Sequence, residues 1–358
     1  MAVAVAVFFR GPLFGGEVFV TTGVIKSDLM CQSYPNRDFY ARKLKGGEIP
    51  LWIKDVGAGF PIAAESQLAV FYPLNLLLFS IFPMPLAFNL SLALHFFLAS
   101  FFAYLLVRVG FGKSFGAGLF SGLCFGLSGF FVAHLSHPNM IQVVTFFPLV
   151  LLFLERQFEK PSWGNFLGLV VVSFFQVLAG HLQILYYFQV VIAIYLLLRA
   201  ILSYQKKGLS AFGPLFTLVF ALSLSFLFSL FQVLPSLEFM ANSERRGGIN
   251  FLQAADYRFP LSHLLWFIFP GRADFSRPIR YGQAQGTVNP WEIYGYVGVL
   301  PLILGAVALA VSAFRVRDDK GDRGERREWW VFGLGLCSLL FVLGRSTPLF
   351  EVLWRVVP

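Results

Sequence analysis

The sequence predicts an all-α, polytopic membrane protein, a bundle of about nine transmembrane helices, from its composition and from the spacing of its apolar residues. Of 358 residues, 57% are hydrophobic and 13% are charged, whereas about a quarter of the residues in soluble domains are charged. The apolar residues recur in runs of roughly 17 to 25, long enough for a helix to cross the hydrocarbon core with its backbone hydrogen bonds satisfied internally. The three cysteines lie far apart in the chain and exclude a disulfide scaffold.

The apolar runs define the predicted spans in order. Residues 1–9 are apolar but too few to cross, so we expect a first helix clipped at its N-terminus, in preference to a cleaved signal peptide, because a basic start is lacking. The complete runs are 86–107, 115–133, 140–154, 164–180, 182–198, 211–237, 293–314 and 329–344. Residues 1–358 are thus expected to form a single transmembrane domain, which we also expect to be truncated at its C-terminal end.

Lysine and arginine residues in the short loops predict the orientation of the bundle. Alternate short loops are basic and are expected to face the cytoplasm, namely 108–113, 156–160, 199–207 and 315–327. The intervening loops without Lys or Arg and two long segments are expected outside, namely 132–139, 180–181, 10–67 and 240–290. The net charge of +9 is then mainly an orientation signal, and no continuous basic surface indicates a nucleic-acid partner.

Ionisable groups concentrate on the predicted outer face, where four of the five histidines fall. The first outer loop is expected to contain amphipathic helices, because residues 28–45 mix aromatic and charged side chains at helical spacing. Asp28 follows the first helix at the membrane surface, where a carboxylate can act as general base on a substrate whose lipid tail stays in the bilayer. A role for Asp28 as a helix N-cap has equal weight.

His134 and His137 lie three residues apart, a spacing that permits metal binding on a helical turn. No third ligand follows at a diagnostic spacing, so hydrogen bonding to a phosphate or polar headgroup is the preferred interpretation. A requirement for a divalent metal is left open by the sequence. His181 and Gln183 lie at the next outer turn, and for each of these residues an ordinary solvated loop position is the alternative.

Further polar residues at the outer loops and helix ends complete the predicted substrate-binding set. Arg245 and Arg246 are adjacent and suit a phosphate, with anchoring at the membrane interface as the alternative. The other members are Gln32, Glu65, Gln67, Glu238 and Glu292.

Glycines repeat every four residues in the second complete run, at Gly118, Gly122 and Gly126. Small residues at this spacing let two helix backbones approach closely in a membrane. We therefore interpret the repeat as a helix-packing face and not as part of a catalytic motif.

In its order of motifs the chain resembles the YfhO-like family of bacterial membrane proteins, which is related to the GT-C glycosyltransferases. The resemblance covers nearly the whole chain, although each motif is short. The matching positions are Asp28, Gln32, Pro35, 47–52, 59–61, Gln67, 71–75, His134, His137, 148–156, 180–183, 235–238, 292–295 and 344–350.

The resemblance implies a GT-C-like enzyme of the bacterial cytoplasmic membrane that moves a sugar from a polyprenyl-phosphate carrier to an envelope polymer or glycan acceptor on the outer face. It places the catalytic acid of the first outer loop at Asp28. Membrane lipids and the lipid-linked sugar are the implied partners. A flippase or transporter without bond chemistry is the main alternative function, and a non-catalytic scaffold for envelope assembly is the second.

Overall fold

The computed structural model describes residues 1–19, 29–244, 246–248, 251, 261–269, 279–280, 287–288, 295–314, 327–342 and 348–356. Most of these residues are helical, although the segment 46–72 is not, and the all-α prediction is confirmed. The α-helices are α1 Ala2–Phe8, α2 Arg10–Phe14, α3 Tyr34–Lys45, α4 Pro73–Ile81, α5 Met84–Leu105, α6 Phe115–Gly126, α7 Gly129–Ala133, α8 Pro138–Thr145, α9 Phe147–Glu159, α10 Trp163–Leu178, α11 Leu182–Lys207, α12 Gly213–Phe228, α13 Leu230–Ala241, α14 Val299–Phe314, α15 Arg327–Val342 and α16 Pro348–Val356. Two strands of two residues each, β1 Ile279–Arg280 and β2 Thr287–Val288, pair in antiparallel fashion.

Within the described residues, four helical stretches are long and apolar enough to cross a membrane. They are Met84–Gly110, Phe115–Ala133, Pro138–Glu159 and Leu182–Phe228. Shorter apolar helices occupy Trp163–Leu178, Leu230–Ala241 and Val299–Val311. Where they are described, the predicted apolar runs lie largely in helices, and four stretches reach spanning length.

The stretch Leu182–Phe228 contains two successive apolar helices. Its 47 residues would extend about 70 Å as one straight helix, roughly twice the hydrocarbon thickness of a bilayer. Gly208, with φ of +57°, ends α11, and a 3₁₀ turn at Gly208–Phe212 leads into α12. The sequence likewise predicts two separate spans here.

The predicted run 211–237 is divided at Ser229 into α12 and α13. The hydroxyls of Ser225 and Ser229 bond back to the carbonyl oxygens of Ala221 (2.7 Å) and Ser225 (2.8 Å), a pattern that bends helices. Pro235, inside α13, also lacks the backbone N–H that a regular helix would use. These local features explain why one apolar run forms two helices.

The described chain forms two compact units. One comprises Met1–Leu127 and His134–Arg246, and α5 lies at its centre, against α1, α4, α6, α8 and α9. The other comprises Ser128–Ala133 and Gly247–Pro358, and within it the backbone N–H of Gly129 donates to the carbonyl of Tyr296 (2.7 Å).

Helices α5 and α6 pack closely through the predicted glycine face. A Cβ atom at Gly122 would lie 2.4 Å from the Ser100 carbonyl oxygen, and one at Gly126 would lie 2.8 Å from that of Phe96. Real Cβ atoms do not approach backbone oxygen this closely. The interpretation of the repeat as a helix-packing face is confirmed.

Two charged residues that directly follow predicted apolar runs, and that the sequence places on the cytoplasmic side, are buried instead. Glu155 on α9 is 0% exposed and Arg199 on α11 is 6% exposed, and the two form an ion pair. The Tyr195 hydroxyl donates to the same carboxylate (2.7 Å), and the Arg199 guanidinium lies 3.9 Å from the centre of the Phe158 ring. The helices extend beyond the apolar runs, so their first charged residues face inward and not solvent.

Candidate functional site

The first predicted outer loop contains a helix with one buried face, as its pattern indicates. After a π-helical turn at Leu29–Ser33, helix α3 begins with Pro35 in its first turn and buries Arg37, Tyr40 and Ala41. These positions share one helix face because residues three and four apart align. The Tyr40 hydroxyl donates to the Val70 carbonyl oxygen (2.8 Å), which fixes α3 against the segment that leads into α4.

Arg37 is the charged residue that α3 turns inward. Its side chain is 2% exposed, and its guanidinium carbon lies 5.8 Å from the centre of the Phe79 ring and 5.6 Å from that of Phe88. Its Nε donates to Ser33 Oγ (3.3 Å). Burial lowers the pKa of Arg37 to about 10, which leaves the guanidinium protonated at neutral pH.

Glu65 lies close enough to Arg37 for their charges to interact. Its Oε2 accepts a hydrogen bond from the backbone N–H of Gln67 (3.1 Å), in a turn where Ser66 has φ of +68°. Burial raises the pKa of Glu65 to about 7, against the opposing effects of the Gln67 and Leu68 N–H groups and of Arg37. A carboxyl group with this pKa can both accept and donate a proton at neutral pH.

The turn at Glu65–Gln67 packs directly on Gly180. Ser66 Oγ donates to the Gly180 carbonyl oxygen (3.2 Å), and a Cβ at Gly180 would lie 2.0 Å from the Ser66 carbonyl oxygen. Gly180 has φ of +81°, a conformation that glycine adopts without strain. This close approach brings His181 beside the first loop.

His181 caps the start of α11, because its Nδ1 accepts from the backbone N–H of Ile184 (3.3 Å). This hydrogen bond places the proton of a neutral ring on Nε2, which is then available as a donor. Burial lowers the pKa of His181 below its ordinary value. The ring is thus a neutral hydrogen-bond donor near pH 7.

His134 and His137 lie together just before α8, with ring centres 5.7 Å apart. Burial, with a contribution from His181, lowers the pKa of His137 to about 4. Among the described residues no group of three His, Cys, Asp or Glu side chains is arranged to hold a metal ion. Because burial lowers the pKa of both His137 and His181, their imidazole rings are neutral near pH 7.

Helix α13 also contacts the first loop. Gln232 Nε2 donates to the Ala63 carbonyl oxygen (2.7 Å), and the rings of Phe60 and Phe239 meet edge to face with centres 5.9 Å apart. Three separate regions of the chain, the first loop, the turn at 180–181 and α13, thereby meet in one place. We call the group formed by Arg37, Glu65, His134, His137 and His181 the polar cluster.

The remaining predicted residues are placed as follows. Gln32, Gln67, Glu238 and Arg246 are exposed, and exposed Gln183 donates from Nε2 to the Tyr187 hydroxyl (2.8 Å). Asp28, Arg245 and Glu292 lie outside the described residues. The sequence analysis does not single out two polar residues of this region, Arg37 and Gln232. The burial of Arg37 has one signal in the sequence, which is that Arg37 shares a helical face with Tyr40 and Ala41.

The pH dependence of stability is expected to reflect two opposing groups of the polar cluster. The folded pKa of His137, about 4, lies below its ordinary 6.5, so the unfolded chain takes up the proton first on acidification and stability is lost between pH 6.5 and 4. The folded pKa of Glu65, about 7, lies above its ordinary 4.5, so stability is gained on acidification between pH 7 and 4.5.

We therefore expect Glu65→Gln to unmask the effect of His137 and to make the protein lose on the order of 2 kcal/mol between pH 7 and pH 4.5. His137→Gln should remove this loss and leave a protein that acid destabilises less than the wild type. Thermal unfolding in an uncharged detergent across this pH range measures both. Identical pH profiles for both variants and the wild type would contradict the assignment.

Comparison with known proteins identifies one relationship. The sequence profile of the family described as "Bacterial membrane protein YfhO" matches residues 1–315. No curated protein and no solved structure matches the chain. The match covers most of the chain, including every member of the polar cluster and helices α1 to α14, so this chain belongs to the YfhO family of bacterial membrane proteins.

Proposed function

We propose that the protein is a membrane glycosyltransferase that moves a sugar from a polyprenyl-phosphate carrier to a cell-envelope acceptor on the outer face of the cytoplasmic membrane. The observation that carries the proposal is the convergence of a carboxyl group, a guanidinium and imidazoles from distant parts of the chain. Convergent titratable groups with shifted pKa values are typical of sites that perform chemistry. Membership of the YfhO family and the apolar helices supply the membrane setting.

In the proposed reaction, Asp28 removes the proton from an acceptor hydroxyl as its oxygen attacks the anomeric carbon of the sugar. The bond between that carbon and the phosphate oxygen breaks, and the electron pair leaves with the lipid phosphate. Attack from the side opposite the phosphate inverts the anomeric centre. His134, His137 and His181 donate hydrogen bonds to the departing phosphate, and Arg245 and Arg246 contribute charge.

The proposed topology follows the distribution of basic residues. The chain crosses the membrane about nine times in this topology, and its basic short loops face the cytoplasm. The loop 10–67 and the segment 240–290 then lie outside. In this arrangement the polar cluster lies at the outer surface, where the phosphate of a lipid carrier meets water.

Asp28→Asn is expected to lower sugar transfer by about 10²- to 10⁴-fold, because the amide cannot accept the acceptor's proton. The matched control is Asp38→Asn, since Asp38 is exposed on α3 and pairs with Arg42 at 3.0 Å. The assay follows transfer from a radiolabelled polyprenyl-phosphate sugar by purified protein in liposomes. Full transfer by a normally inserted Asp28→Asn variant would remove Asp28 from the mechanism.

A lipid-linked sugar flippase is the second candidate, and one observation favours it. His95 lies buried within the stretch Met84–Gly110, where its Nε2 is 2.8 Å from the Tyr72 hydroxyl, and ionisable groups inside spans often mark transport paths. The same liposome assay separates the functions, since movement of intact lipid without sugar release would support the flippase. A protein that does neither but binds envelope components would be a scaffold.

A further inference from the structure

Arg37 carries a buried charge that forms no direct ion pair with a described carboxylate. The guanidinium donates from Nε to Ser33 Oγ, and among the described residues no carboxylate lies within ion-pair distance of it. The Glu65 carboxyl interacts with Arg37 only through longer-range attraction, and it accepts its hydrogen bond from the Gln67 backbone. Most of the hydrogen-bonding capacity of this side chain therefore remains for a ligand.

A second buried arginine in the same unit shows the contrast. Arg199 is also almost fully buried, but it pairs with the Glu155 carboxylate inside the bundle. An uncompensated buried ion is strongly destabilising, so a protein retains one only where something offsets the cost. For Arg199 the offset is a direct ion pair, whereas Arg37 has only the longer-range attraction of Glu65 and its contacts with two aromatic rings, to which an anionic ligand would add a direct partner.

The surroundings of Arg37 indicate what kind of anion fits. The rings of Phe79 on α4 and Phe88 on α5 lie beside the guanidinium and are themselves buried, so the guanidinium has apolar surroundings on this side. A planar guanidinium binds phosphate through two parallel N–H bonds, a geometry that lysine cannot reproduce. His137 and His181 are neutral near pH 7 and supply no charge to such a group.

We propose that Arg37 binds the phosphate of the lipid-linked substrate and is the principal fixed positive charge of the polar cluster. This inference rests on the proposed function for the identity of the lipid, although the anion site itself does not require sugar transfer.

The test measures binding and needs no catalytic turnover. Farnesyl phosphate is titrated into the purified full chain in an uncharged maltoside detergent, with farnesol as the matched probe that lacks the phosphate. Arg37→Gln is expected to weaken farnesyl phosphate binding by about 10- to 100-fold and to leave farnesol binding unchanged. Arg42→Gln, on the exposed side of the same helix, is the control and should retain wild-type affinity.

Stability without ligand separates a binding role from a structural one. If Arg37 exists to bind an anion, Arg37→Met should melt at the same temperature as the wild type or higher, because a lone buried charge is removed. A lower melting temperature for both Arg37→Met and Arg37→Gln would overturn the proposal. Equal loss of affinity in Arg37→Gln and Arg42→Gln would overturn it as well, since it would indicate a general surface charge effect.

Two further outcomes distinguish the source of the phosphate and the fate of the proposed function. If inorganic phosphate competes as strongly as farnesyl phosphate, the anion site stands and the lipid assignment is wrong. If Arg37 governs farnesyl phosphate affinity but no sugar transfer occurs, this inference stands and the glycosyltransferase proposal fails. If sugar transfer occurs but the affinity for farnesyl phosphate is independent of Arg37, the glycosyltransferase proposal stands and the inference about Arg37 fails.

Discussion

Arg199→Ala is expected to destabilise the protein by about 3–5 kcal/mol, because it leaves the carboxylate of Glu155 buried without the guanidinium. Glu155 is 0% exposed, so water cannot replace the lost partner. The Tyr195 hydroxyl still donates to the carboxylate, but a neutral donor does not offset a buried charge. Thermal or denaturant-induced unfolding in detergent measures the loss.

Two controls isolate the charge effect at this pair. The double variant Arg199→Leu with Glu155→Leu removes both charges and is expected to be more stable than Arg199→Ala alone. Arg42→Ala breaks the exposed pair with Asp38, whose side chains are 71% and 53% exposed, and should cost no more than about 1 kcal/mol. A cost for Arg199→Ala as small as that of Arg42→Ala would show that Glu155 does not depend on its partner.

Gly180→Ala is expected to cost about 3 kcal/mol or more, since a backbone strain and a steric clash add at one position. The residue has φ of +81°, and the added methyl group would stand 2.0 Å from the Ser66 carbonyl oxygen. A backbone oxygen cannot rotate away as a flexible side chain can. The turn at Glu65–Gln67 must therefore move away from His181, and we expect proposed sugar transfer to fall together with stability.

Gly208→Ala is the matched control for this substitution. Gly208 also has positive φ, +57°, but a Cβ there would meet no atom within 4 Å. Gly208→Ala should lose only the stability that backbone strain costs, about 1–3 kcal/mol, and should leave the polar cluster intact. Equal effects of the two substitutions would mean that the close contact between Gly180 and Ser66 has no energetic importance.

The helical architecture was predictable because it depends on local composition. Runs of apolar residues identify helices wherever they occur, and the glycine spacing at Gly118, Gly122 and Gly126 identifies which face packs closely. The break at Ser229 was harder to predict from the sequence, because the apolar pattern continues on both sides of it. Serine hydroxyls and Pro235 cause the bend there.

The candidate site was predictable only in part, because residue type does not reveal burial. The histidines and Glu65 stand out in a sequence poor in ionisable residues, but their shifted pKa values arise from packing between distant segments. Arg37 lies in a stretch rich in charged residues and looks like a solvated position. Its burial depends on Phe79 and Phe88, which follow it by more than forty residues.

The contact between Gln232 and Ala63 has a consequence for the biogenesis of the protein. The two residues are 169 positions apart, and a ribosome adding about 5–20 residues per second needs roughly 10 to 35 s to make the intervening chain. During that interval the first loop lacks the helix that later binds it. Docking of α13 on the first loop is therefore a late event, and it follows the synthesis of every member of the polar cluster, the last of which is His181.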